Sequence, residues 1–165
     1  KNYHIKEFWR LYQSGQFLHY VCTHYDWIED LKFYNIWTRD DELPKDGVLG
    51  VMDAIYQVTE IFQFLERLTS NGLYDEGVSV DISINNSKGR SLVMDNQRRI
   101  SFSTPKQTQE SVLTYQKQYS KSEIITDPKK LTLDAIVHFF VLFNWLEPNI
   151  EVIKQDIDNL INRKI

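Results

Sequence analysis

The stretch Val78-Ser79-Val80-Asp81-Ile82-Ser83-Ile84 decides the fold. Apolar and polar residues alternate along it, which is the period of a strand with one face on a core and one in water. The preceding residues, 48–69, carry a helical period instead. Val51, Ile55, Val58, Phe62 and Leu65 step by four and three, and Met52, Tyr56 and Leu68 widen the stripe. Asn71-Gly72 ends that helix. A long amphipathic helix feeding an alternating strand requires a core built between a helix layer and a sheet.

Downstream, Asn85-Asn86-Ser87-Lys88-Gly89 reads as a turn, and short strands are expected at 91–94 and 99–102 around Asp95-Asn96. A polar loop over 103–110 leads to a further strand at 112–119, with Leu113, Tyr115 and Tyr119 on one side. Asp127-Pro128 has the form of an N-cap followed by proline at the first helical position. Residues 129–146 are apolar on almost every face, so the spacing predicts a buried helix there, broken at Glu147-Pro148. A last helix, 149–164, carries Ile150, Ile153, Ile157 and Leu160 on a narrow seam suited to self-association.

Upstream the reading is less direct. Ile5, Phe8, Trp9 and Tyr12 recur at helical steps, so a helix is expected over 2–13 with Gly15 as its C-cap. Residues 17–22 have strand-like composition, whereas Trp27, Ile28, Leu31 and Tyr34 fit a short helix. Residues 38–47 are a polar loop. Eleven of the chain's twenty-two aromatic residues fall in the first thirty-seven positions, and most of these rings are expected to supply the core. A polar edge at Gln13, Gln16, His19 and Trp27 is the place where a ligand would meet that region. The order implies an α+β fold in one domain over 1–165: N-terminal helices, an antiparallel meander of about four strands, and two C-terminal helices.

Composition bounds the function. The single cysteine, Cys22, allows no intrachain disulfide and favours a reducing, cytoplasmic setting. No signal peptide or membrane span is expected, because no charged-then-apolar leader opens the chain and no apolar run approaches twenty residues. Lys1 rather than Met suggests a piece of a longer protein. The net charge of −4 is unevenly spread: residues 26–46 carry a net −4 and residues 87–121 a net +5. Within the basic stretch, Lys88, Arg90, Arg98 and Arg99 flank the central turns and form a candidate anion or nucleic-acid site.

Catalytic signatures are missing. His19, Cys22 and His24 do not converge as either a strand or a helix, and no second ligand pair accompanies them, so no metal is expected. Gly47-Val48-Leu49-Gly50 opens a helix but has no phosphate-loop pattern, and Asp46 beside it would repel phosphate. No cofactor is expected. Asp53 and Glu60 lie two turns apart on the long helix and are the only basis for a hydrolase reading.

One resemblance adds to this. The run Leu11–His19, then Asp26-Trp27, then Ile55-Tyr56-Gln57-Val58-Thr59-Glu60-Ile61-Phe62, then Asp81–Ile84 leading to Lys88-Gly89-Arg90-Ser91-Leu92, resembles part of bacterial AlbA_2/Schlafen-type DNA-binding proteins. The similar part follows their N-terminal nucleic-acid- or nucleotide-binding module, which has no counterpart here. The resemblance implies a companion domain for sensing or assembly in a bacterial protein linked to nucleic acid or phage defence. The expectation is therefore a non-catalytic interaction domain with a protein partner or self-association. A nucleic-acid-binding module on the basic sheet and a hydrolase with helix carboxylates are the alternatives.

Overall fold

The computed structural model describes residues 7–26, 44, 46–96 and 98–163. Two antiparallel strands open it, β1 (Glu7–Leu11) and β2 (Phe17–Val21), followed by a 3-10 turn at His24–Asp26. Strand β3 (Val48–Gly50) runs directly into helix α1 (Val51–Ser70). Then come β4 (Val78–Asn85), β5 (Ser91–Val93), β6 (Lys106–Gln107) and β7 (Val112–Tyr119). Helices α2 (Lys121–Thr126), α3 (Pro128–Leu142) and α4 (Ile150–Ile161) complete the described chain. The fold class is α+β, as the segregated periods imply.

The sheet topology departs from a meander. β4 pairs with β7 over eight register positions, Val78↔Tyr119 through Asn85↔Val112. β3 and β5 pair in parallel, and β6 adds antiparallel to β5. The expected strand over 99–102 does not form, and β6 lies in the stretch read as a polar loop. Alternation on β4 and β7 puts Val80, Leu113, Tyr115 and Tyr119 inward. α3 lies against that layer, α1 packs on α3 and reaches the layer through Phe62 beside Tyr119, and α4 packs on both helices, with Phe62, Phe139, Phe140, Phe143, Ile153 and Ile157 in one apolar cluster. Each such side chain contributes about 1.5–3 kcal/mol by leaving water.

Local chemistry sets the helix ends. Ser120 and Glu123 form a capping box that starts α2, so three C-terminal helices stand where two were expected. The Asp127 side chain accepts from the Lys130 amide and Pro128 opens α3, as the sequence implies. α3 stops at Leu142 rather than 146. Asn144 takes φ 63°, and the Trp145 amide donates back to the Phe140 carbonyl, which closes the last turn.

The N-terminal reading needs correction. Residues 7–11 are a strand, not part of a helix over 2–13. Gly15, at φ 84°, is not a C-cap but the left-handed residue of the β1–β2 turn, where Tyr12 and Gln16 are bonded across the ends. Of the eleven N-terminal aromatic residues, Tyr3, Trp27, Phe33, Tyr34 and Trp37 lie outside the described residues and Tyr25 is buried, whereas Phe8, Trp9, Tyr12 and Tyr20 are open to water. Phe8 is 52% exposed, Trp9 64% and Tyr20 60%. The short helix expected around Trp27–Tyr34 and most of the 38–47 loop lie outside the described residues.

Candidate functional site

The β1–β2 hairpin is the chain's most unusual surface. Its register places Glu7, Trp9 and Leu11 opposite Val21, His19 and Phe17 on one face. Phe8 and Arg10 lie opposite Tyr20 and Leu18 on the other. Phe8 and Tyr20 stand 6.4 Å apart, and the Arg10 guanidinium sits 5.2 Å from the centre of the Tyr12 ring. On the first face His19 Nε2 meets Glu7 Oε1 at 3.0 Å. The hairpin is held at its turn and at the start of β2. The Tyr74 hydroxyl donates to the Gly15 carbonyl at 2.7 Å, and Phe17 packs 4.8 Å from Phe64 of α1. All five residues of β1 remain exposed. A two-stranded ribbon is marginal by itself, so apolar side chains open to water on both of its faces call for a partner.

A second cluster gathers at the N-terminus of α1. Gly50 occupies the cap position and offers no side chain. Asp95, from the loop after β5, takes over that role. Its two oxygens accept the Met52 amide at 2.7 Å and the Asp53 amide at 3.1 Å. A Cβ on Gly50 would lie 2.1 Å from Asp95 Oδ2, so glycine is what admits the carboxylate. The helix N-terminus that superficially suggested anion binding therefore already holds the protein's own carboxylate. Burial pushes the Asp95 carboxyl above its ordinary value, hydrogen bonds from the Met52, Asp53 and Asp95 amides oppose this in part, and the Asp53 carboxylate adds to the rise. Tyr56 is raised too, mainly by burial and then by the Asp156 and Asp95 charges.

Arg99 grips Asp156 of α4 with both guanidinium nitrogens, at 2.6 and 2.5 Å, and Asp156 is only 3% exposed. Arg90 is likewise buried. It pairs with Asp26 at 2.9 Å and donates to the Val48 carbonyl and the Thr23 hydroxyl, each at 3.2 Å. Of the four bases proposed for anion binding, Arg90 and Arg99 are thus engaged inside the fold, while Lys88 and Arg98 are exposed on turns. The structure does not bring these four together on one wet sheet face.

The remaining candidates separate in the same way. Gln13, Gln16 and His19 are exposed on the hairpin, whereas Trp27 lies outside the described residues. Ile153 and Ile157 are buried, and Ile150 and Leu160 half-buried, because the α4 seam packs within the chain. Asp53 accepts from Gln57, and Glu60, two helical turns or about 10.5 Å along the axis, is exposed. That separation is too wide for the two to share a proton. Among the described residues no group of three His, Cys, Asp or Glu side chains is placed to hold a metal ion. No helix among them is long and apolar enough to cross a membrane.

Sequence reasoning passed over Asp95 and Asp156. Nothing near Gly50 marks a cap supplied from forty-five positions away, and an acid at 156 looks like part of a wet helix face. No protein-family model, curated protein or solved structure matches the chain.

Proposed function

We propose that this chain is a non-catalytic interaction and assembly domain whose contact surface is the β1–β2 hairpin. The observation that carries the reading is the exposure of Phe8, Trp9 and Tyr20 on a ribbon that is held, among the described residues, at its turn and at the start of β2. Exposed apolar patches of this kind mark contact sites, and aromatic side chains dominate the energetics of such contacts. The titratable clusters support a structural role: Asp95 caps a helix, and Arg99–Asp156 joins the loop after β5 to α4. The resemblance described above supports a bacterial protein associated with nucleic acid or phage defence as its setting, and the single cysteine supports a cytoplasmic one. The nucleic-acid alternative retains two outward bases, Lys88 and Arg98, and Arg10 beside the aromatic rings of the hairpin.

The reading is tested by size-exclusion chromatography of tagged chain in fresh cell extract. Wild type elutes in a complex larger than the single chain, and the Trp9→Glu, Tyr20→Glu double variant elutes as the single chain. Identical elution of the two would contradict it.

A further inference from the structure

We propose that the hairpin's partner is a second copy of this chain, joined through the outer edge of β1 about a twofold axis. This inference rests on the reading of the hairpin as a contact surface. Three observations carry it.

The first is area. On the edge strand and just past its end, the exposed parts of Phe8, Trp9, Leu11 and Tyr12 amount to roughly 400 Å², taking ring areas of about 150–250 Å² as the guide. A stable dimer buries about 800 Å² per partner. The side chains at the edge supply about half of that, and the backbone edge itself adds to it, while Tyr20 and Val21 lie one strand away on β2.

The second is the edge. Among the described residues β1 pairs only with β2, so its other side presents a row of amide and carbonyl groups. Natural edge strands are guarded by lysine, proline or bulges. Residues 7–21 contain no lysine and no proline, and the two charged residues of β1, Glu7 and Arg10, are of opposite sign and admit a complementary register. An antiparallel pair of identical strands satisfies the row on both copies and turns two marginal ribbons into one four-stranded sheet.

The third is charge. The chain carries a net −4, which opposes approach of an identical molecule, but Glu7 and Arg10 leave the hairpin neutral. Charge also selects the register. Pairing centred on Arg10 would oppose two guanidiniums, and pairing centred on Glu7 would oppose two carboxylates. Centring on Trp9 sets Phe8 of each copy opposite Arg10 of the other, a favourable cation–ring pair. Trp9 then meets its own symmetry mate at the axis.

Three experiments on the purified chain test this. Sedimentation velocity over a dilution series is expected to show a monomer–dimer equilibrium, and Trp9→Glu is expected to weaken it by roughly tenfold or more, as at an interface hot spot. Trp9 is exposed, so far-UV circular dichroism of the variant stays unchanged. In a Cys22→Ser background, Trp9→Cys is expected to form an interchain disulfide on mild oxidation, and Glu60→Cys on α1 is not. A monomer at all concentrations, or a dimer indifferent to Trp9→Glu with no Trp9→Cys cross-link, overturns the proposal. A purified monomer whose complex in extract still depends on the hairpin overturns the second copy but leaves the interaction reading standing. A hairpin-independent result in both settings removes both. A monomer that binds a labelled single-stranded oligonucleotide, with binding lost in Trp9→Glu, overturns the dimer and assigns the surface to stacked bases.

Discussion

Replacing Arg99 with alanine isolates the Asp156 carboxylate, which is 3% exposed on α4 and receives both guanidinium nitrogens at 2.6 and 2.5 Å. Removing one partner of a buried ion pair costs about 3–5 kcal/mol, because the remaining charge has lost water and gained nothing. The Arg99 side chain is 26% exposed, so solvent screens its half of the pair and the expected loss falls to about 2–4 kcal/mol. For a chain of this size that lowers the midpoint of thermal unfolding by roughly 4–16 °C. Asp156→Ala leaves Arg99 partly hydrated and costs less, about 1–2 kcal/mol. The assay is urea unfolding of wild type, both single variants and the double variant. The double-mutant cycle is expected to return a coupling of about 2 kcal/mol. If Arg99→Ala unfolds within about 0.5 kcal/mol of wild type, Arg99 is not a structural arginine and the anion-site reading regains it.

Asp95→Ala removes the borrowed cap of α1 and is expected to cost about 0.5–2 kcal/mol in urea unfolding. Because folding raises the Asp95 carboxyl above its ordinary 3.8, its contribution is fully present below that value and declines as pH rises through the raised one. Asp95→Asn lacks that decline, so its stability curve is flatter than wild type's in mild acid. Gly50→Ala pushes a Cβ against Asp95 Oδ2 and is expected to match the loss seen in Asp95→Ala, with little further effect when the two are combined. Ile153→Asp places a carboxylate at a site that is 2% exposed, and circular dichroism is expected to show an unfolded chain rather than a folded monomer.

The helix at 51–70 and the strands at 78–85 and 112–119 were legible because long runs kept one unambiguous period. The cap Asp127-Pro128 was equally direct. The capping box Ser120-Lys121-Ser122-Glu123 is a plain local signal for α2, short enough to be masked by the strand period of 112–119 that runs up to it. The N-terminal ribbon failed for a physical reason. Over a window as short as 5–12, apolar residues at 5, 8, 9 and 12 satisfy a helical count, yet Phe, Trp and Tyr favour strands and Gln13-Ser14-Gly15 suits a hairpin turn as well as a helix end. Aromatic density suggests core, and Tyr25 joins it, but Phe139, Phe140 and Phe143 on and just beyond α3 fill the space that Phe8, Trp9 and Tyr20 do not enter. The parallel pairing of β3 with β5 and the salt bridge from Arg99 to Asp156 depend on tertiary approach across more than forty residues, which no local period records.

A contact role for the hairpin requires that it be covered in the cell. A photo-crosslinking amino acid placed at Trp9, compared with one at Glu60 on the exposed side of α1, tests this most directly. The hairpin position is expected to yield a discrete protein adduct, at twice the chain mass if the partner is a second copy, and the α1 position none. Equal labelling at both positions, or no adduct at Trp9, would contradict it.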